Sequence, residues 1–179
     1  LEKEDAPQIL IYHTHSQEGF VDSVPGDNST TIMGAGEYLS ELLREKGFEV
    51  MHVTSVYDLV DGELDRNEAY SRAEKEISQI LEEYPSIQAV IDLHRDGPID
   101  YLYNPYIEDN LALTLQLKLL CDQYYPGLSR NIYLKSLRYN LHLSDKALLI
   151  EVGAQTNTLQ EILNTMEPLS VLLAKVFGV

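Results

Sequence analysis

The run ILIYHTHSQEGF, residues 9–20, places His13, His15 and Glu18 within six positions, directly after the apolar Ile9–Tyr12. A third histidine of interest, His94, closes AVIDLH, and Glu151 closes ALLIE. These residue types are metal ligands and proton acceptors. Catalytic zinc commonly takes two imidazoles and a carboxylate and leaves its fourth position to water. Such an ion lowers the pKa of its water toward neutrality, and a neighbouring carboxylate then accepts the proton. His15 and Glu18, three residues apart, reach one ion if the chain turns after the strand, and His94 completes the set. Glu151 is the expected general base. Its neighbours Leu149, Ile150 and Val152 are expected to be buried, so a charge among them needs a reason, which a cation supplies. Asp92 shares a strand face with His94 and suits a carboxylate that orients the imidazole. Arg95 either touches substrate or pairs with Asp96. Two alternatives stay open: His13 in place of His15, and Glu37 in place of Glu18, although Glu37 also reads as an acid in the first turn of a helix. His52 and His142 have no companion acids in a matching place and are set aside as ligands. An H-x-x-E spacing arises by chance in many chains; the weight rests on distant segments delivering the same chemistry.

Their convergence depends on the elements that carry them. Apolar runs alternate with helical periodicity along the chain. QILIYH, FEVMHV, AVIDLH, NIYLK and KALLIEV read as strands. Helices are expected over IMGAGEYLSELLREKG, with Gly47 at its C-terminal end, over RNEAYSRAEKEISQILEEY capped by Asp65, and over DNLALTLQLKLLCDQYY capped by Asp109. A last helix opens at Asn157 or Thr158, with a kink expected at Pro168. Buried strands alternating with helices predict an α/β architecture: three layers, with a twisted, largely parallel sheet flanked by helices. In such folds the strand carboxyl ends share one rim, where ligands bind. His15, Glu18, His94 and Glu151 all fall there.

Composition narrows the function classes. The 179 residues suffice for a single domain, 1–179. The net charge of −16 lacks the basic footprint of a nucleic-acid binder and disfavours docking on anionic lipid. The single cysteine, Cys121, lies in an apolar run and reads as a small buried hydrophobe, not a nucleophile. The sequence holds no membrane-spanning run, no G-x-S-x-G elbow, no phosphate loop and no G-x-G-x-x-G. The chain starts at Leu1 rather than Met and reads as an excised piece, from which an anchoring segment could have been removed.

IYHTHSQEGF, AVIDLHRDG, YYPGLSRNIYLKSLRYNLHL and ALLIEVGAQTNTLQE, in this order, resemble the stage II sporulation protein P family of endospore formers. The resemblance implies a fold similar to the zinc-dependent N-acetylmuramoyl-L-alanine amidases. It implies peptidoglycan hydrolysis at the amide between N-acetylmuramic acid and L-alanine, with endopeptidase cleavage of cross-links as a further activity. It implies zinc on His15, Glu18 and His94, with Glu151 as base. It also implies a membrane-anchored, extracytoplasmic protein of the sporulation septum, working with stage II sporulation proteins D and M in septal thinning and engulfment. Relatives carry a further strand and loop between DLHRDG and the NPY segment, where this chain runs from Gly97 to Tyr101. The rival readings are a zinc exopeptidase on stem peptides and a non-catalytic wall-binding module.

Overall fold

A computed structural model describes Leu1 and residues 6–95, 104–132 and 139–178. Four parallel strands form the main sheet in the order β2-β1-β5-β6: β1 (Ile9–Tyr12), β2 (Val50–His52), β5 (Ala89–His94) and β6 (Ala147–Glu151). A short hairpin, β3 (Leu59–Val60) and β4 (Glu63–Leu64), interrupts the second crossover. Its turn residues Asp61 and Gly62 both have positive φ, 52° and 84°. That is what a two-residue Asp-Gly hairpin requires.

Strand alternation sorts the core into two layers. Ile9, Ile11, Val50, Ile91, Leu93 and Leu148 face α1 (Ile32–Glu45) and α4 (Leu159–Val176). Leu10, Tyr12, Val90 and Ala147 face α2 (Ala69–Glu83) through Ala69, Ala73 and Ile77. Each fully buried aliphatic side chain here contributes about 1.5–3 kcal/mol relative to exposure. β1 leads to β2 on one side, and β5 leads to β6 on the other. The strand order therefore reverses between β1 and β5, and their carboxyl ends flank the crevice where open α/β sheets place ligands.

Helix boundaries follow local chemistry, with two corrections. Thr158 caps α4 in a full capping box with Glu161, and Gly47, at φ 85°, follows α1. Pro168 sits inside α4, which runs through it. Asp65 does not cap α2. The helix starts four residues later, and the Asp65 carboxylate instead accepts the Asn67 backbone N–H and pairs with Arg72. Asp109 does not cap α3 (Ile107–Tyr124) but lies in its first turn, where an acid suits the helix dipole. α3 is apolar on more than one side. Leu113 and Cys121 are buried, while Ile107, Leu111, Leu115 and Leu119 form an exposed row at four-residue spacing. Of the expected NIYLK strand, Asn131 and Ile132 are irregular and the rest lies outside the described residues, as do Asp96 and the 97–101 junction. Among the described residues no helix is long and apolar enough to cross a membrane.

Candidate metal centre

Beyond Tyr12 the chain stays buried through Ser16. Two carboxylates clamp it. Asp92 accepts the backbone N–H of Thr14 at 3.0 Å and its hydroxyl at 2.7 Å. Asp58 accepts the Ser16 hydroxyl at 2.7 Å and the Gln17 N–H at 3.2 Å. A tight turn follows, in which the Glu18 N–H donates to the His15 carbonyl. This turn is the one that His15 and Glu18 need in order to face one point.

The structure brings His15, Glu18 and His94 together. The His15 and His94 rings lie 5.3 Å apart and nearly perpendicular. Glu18 Oε2 is 3.9 Å from His94 Nδ1. All three side chains are almost wholly buried. Neither ring nitrogen of His15 has a hydrogen-bond partner among the described residues. His94 Nε2 lies 2.8 Å from Asp92 Oδ1, a close but poorly aligned contact, which leaves Nδ1 on the Glu18 side. Glu18 is held by the Arg95 backbone N–H at 2.7 Å and faces Arg66 at 3.5 Å. Among the described residues, no three His, Cys, Asp or Glu side chains are drawn into full metal-holding geometry. The donor set nonetheless fits a divalent cation. A buried polar atom left unpaired costs about 1–3 kcal/mol, and two imidazoles beside a buried carboxylate are the donors zinc prefers.

Glu151 pairs in register with His94 across β5 and β6, so both side chains project from the same face. Its carboxylate raises the pKa of His94 and of Tyr70, which places its charge at the cluster. The expected surroundings need correcting. Val152 is buried, but Leu149 and Ile150 are only partly so, and Glu151 is itself exposed. A base open to solvent can exchange protons with it.

His13 takes no part, because alternation turns it to the α1 face. Its Nδ1 donates to the Leu93 carbonyl at 2.9 Å, and its Nε2 meets His52 Nε2 at 2.9 Å. His52 in turn contacts Glu37 at 2.7 Å. Glu37 lies beyond the first turn of α1, half-exposed and also paired with Arg44, away from His15. His52 and His142 do have companion acids, Glu37 and Glu74, though neither pair lies at the cluster. Gly36 makes the His13–His52 contact possible. A Cβ there would stand 2.4 Å from His13 Nε2 and 2.9 Å from His52 Nε2. Gly→Ala in a helix ordinarily gains roughly 0.5–1 kcal/mol. Here overpacking against two tethered rings dominates, and Gly36→Ala should destabilise the fold by about 1–3 kcal/mol, read as a lower denaturant midpoint.

The imidazoles titrate apart. Burial, then the neighbouring His52, holds His13 down to about 3. Burial, then His94 and Arg66, lowers His15 to about 4. For His94, burial is outweighed by Asp92, with Glu18 and Glu151 adding, and its pKa rises to about 9. Burial raises Glu18, whereas His94 and Thr14 outweigh burial at Asp92 and lower it. An unfolded histidine titrates near 6.5. The His13 and His15 contributions are therefore complete above that pH and are lost as pH falls toward 4 and 3. The His94 contribution is complete below 6.5 and is lost as pH rises through about 9. The metal-free protein should show its highest denaturant midpoint near neutrality, with lower values at pH 5 and pH 9. A midpoint still climbing at pH 9 would remove the His94–Asp92 pair from this account.

Tyr70, Arg66 and Asp58 join the cluster without a signal in the sequence. Tyr70, on α2, stacks on His94 at 6.3 Å and 11° and meets His15 edge-on at 5.4 Å. Burial raises its pKa, and the carboxylates of Asp92, Glu151 and Glu18 push the same way. Arg95 lies beside Glu18, with its guanidinium Nε unpartnered among the described residues.

The family model for stage II sporulation protein P (SpoIIP) matches residues 2–104 and 100–177. Stage II sporulation protein P of Bacillus subtilis (strain 168) is 23% identical over 192 residues, covering 88% of this chain and 48% of that protein. The chain thus spans about half the length of the curated relative. No solved structure matches at the same level of significance.

Proposed function

The chain belongs to the stage II sporulation protein P family, and from that premise we propose that it is a zinc-dependent peptidoglycan hydrolase cleaving the N-acetylmuramoyl-L-alanine amide. The observation that carries the reading is the His15 ring, its nitrogens without a partner among the described residues, packed against His94 beside buried Glu18 on the rim of a parallel sheet. His15, Glu18 and His94 would hold the zinc, with Asp92 fixing the His94 ring. Zinc in such a set acidifies its water and polarises a carbonyl.

The protein's own groups supply the rest. The Glu151 carboxylate accepts a proton from the attacking water and returns it to the departing L-alanine nitrogen. Its exposure leaves room for a polymeric substrate to approach. Arg95 orients the substrate. The clamps on Thr14 and Ser16 keep His15 in place, so that little reorganisation is needed when substrate binds.

The same reading extends to endopeptidase cleavage of cross-links, with stage II sporulation proteins D and M as partners at the sporulation septum. A membrane anchor outside this chain would hold the protein there. Family membership supports this part. The test is a digest of purified sacculi by the zinc-loaded protein, read by mass spectrometry. Release of stem peptides with free L-alanine amines is expected. Cleavage only of free stem peptides would favour an exopeptidase, and tight binding without release would favour a wall-binding module.

A further inference from the structure

Among the described residues, Tyr70 packs against both candidate imidazoles, His15 and His94, and carries a buried hydroxyl. Its ring is accounted for by packing on His94, His15 and, at 5.8 Å, Tyr139. Its backbone carbonyl accepts from Asn140. Its hydroxyl, shielded from solvent, has no hydrogen-bond partner among the described residues. The electrostatic neighbours of that oxygen include Asp92, Glu151 and Glu18. A phenol is a donor at neutral pH, and a buried donor left idle costs stability. Phenylalanine would stack equally well without that cost, so packing alone does not explain a tyrosine.

We propose that the Tyr70 hydroxyl is the hydrogen-bond donor for the oxyanion that forms on the scissile carbonyl oxygen. The inference rests on the hydrolase reading above and adds a residue to it. The carbonyl carbon under attack must lie between the His15–Glu18–His94 cluster and Glu151, and the Tyr70 ring packs on both imidazoles of that cluster. As water adds, negative charge grows on the carbonyl oxygen, and a donor idle beforehand gains its bond only then. Such a bond lowers the barrier rather than tightening substrate binding. The hydroxyl keeps its proton throughout. Proton traffic remains with Glu151.

Tyr70→Phe removes one oxygen and keeps the ring. In the zinc-loaded protein, kcat on muramoyl-peptide substrate should fall about 10²–10³-fold, the usual effect of losing one such donor, with KM and zinc stoichiometry unchanged. The unfolding midpoint of the metal-free variant should equal or exceed that of the wild type, because an unpaired buried hydroxyl is gone. A phosphinic mimic of the tetrahedral state should bind the variant more weakly by a similar factor, while a substrate-like peptide binds both proteins alike. Full kcat in the variant beside an active wild type would overturn this inference and leave the hydrolase reading standing. A lower midpoint or lost zinc in Tyr70→Phe would also overturn it, by making the hydroxyl structural. A wild type that binds zinc yet cleaves neither sacculi nor fragments would overturn the hydrolase reading, and this inference with it.

Discussion

Glu151→Gln should lose peptidoglycan cleavage by about 10²–10⁴-fold, the usual worth of a positioned general base, while zinc still binds one per chain. The two expectations come from different parts of the structure. Zinc would be held by His15, Glu18 and His94, a set that does not include Glu151. Glu151 lies across from His94 on the neighbouring strand, exposed at the rim. Glutamine keeps the shape and polarity of the side chain but cannot accept the water's proton. The fold should tolerate the change, because an exposed rim carboxylate contributes little packing. Parallel measurement of released L-alanine amines and of bound zinc separates the roles. Normal cleavage by the variant would remove Glu151 as base, and lost zinc would make it a ligand.

His15→Ala and His94→Ala should both abolish tight zinc binding, yet differ in their effect on the fold. Removing a ligand should weaken affinity by more than the roughly 10–100-fold seen for residues that only support ligands. The His15 ring has no hydrogen-bond partner among the described residues, so its removal should cost the metal-free protein little beyond ring packing. His94 balances the buried carboxylate of Asp92, which also clamps Thr14. Stripping a buried carboxylate of its cationic partner typically costs about 3–5 kcal/mol. Calorimetric zinc titration and denaturant unfolding of the two variants check both halves. Stoichiometric tight zinc in either variant would show the ligand set to be wrong, and equal stability losses would contradict the different partnering of the two rings.

Strand positions were the most legible part of the chain. AVIDLH reads as a strand and is β5 from end to end, because an apolar run between a proline-marked turn and a charged loop has few alternatives. The rim placement of His94 and Glu151 follows from that. The choice between His13 and His15 was not legible. Both sit beyond the strand in the same short motif, and the turn held by Asp58 and Asp92 is what brings the His15 ring to His94. Asp58, Arg66 and Tyr70 were illegible for the same reason. They come from the segments flanking the hairpin and from the start of α2, whose docking on the sheet is set by packing and carries no spacing motif. His52 and His142 were set aside for want of a companion acid in a matching place, and the acids they meet, Glu37 and Glu74, come from helices and lie away from the cluster.

The most direct test is anomalous diffraction at the zinc edge from crystals of the zinc-loaded protein. The account predicts one peak per chain, about 2.0–2.2 Å from one nitrogen each of His15 and His94 and from a Glu18 oxygen. A peak at His13, His52 and Glu37 instead, or none at the rim in a protein that cleaves sacculi, would contradict it.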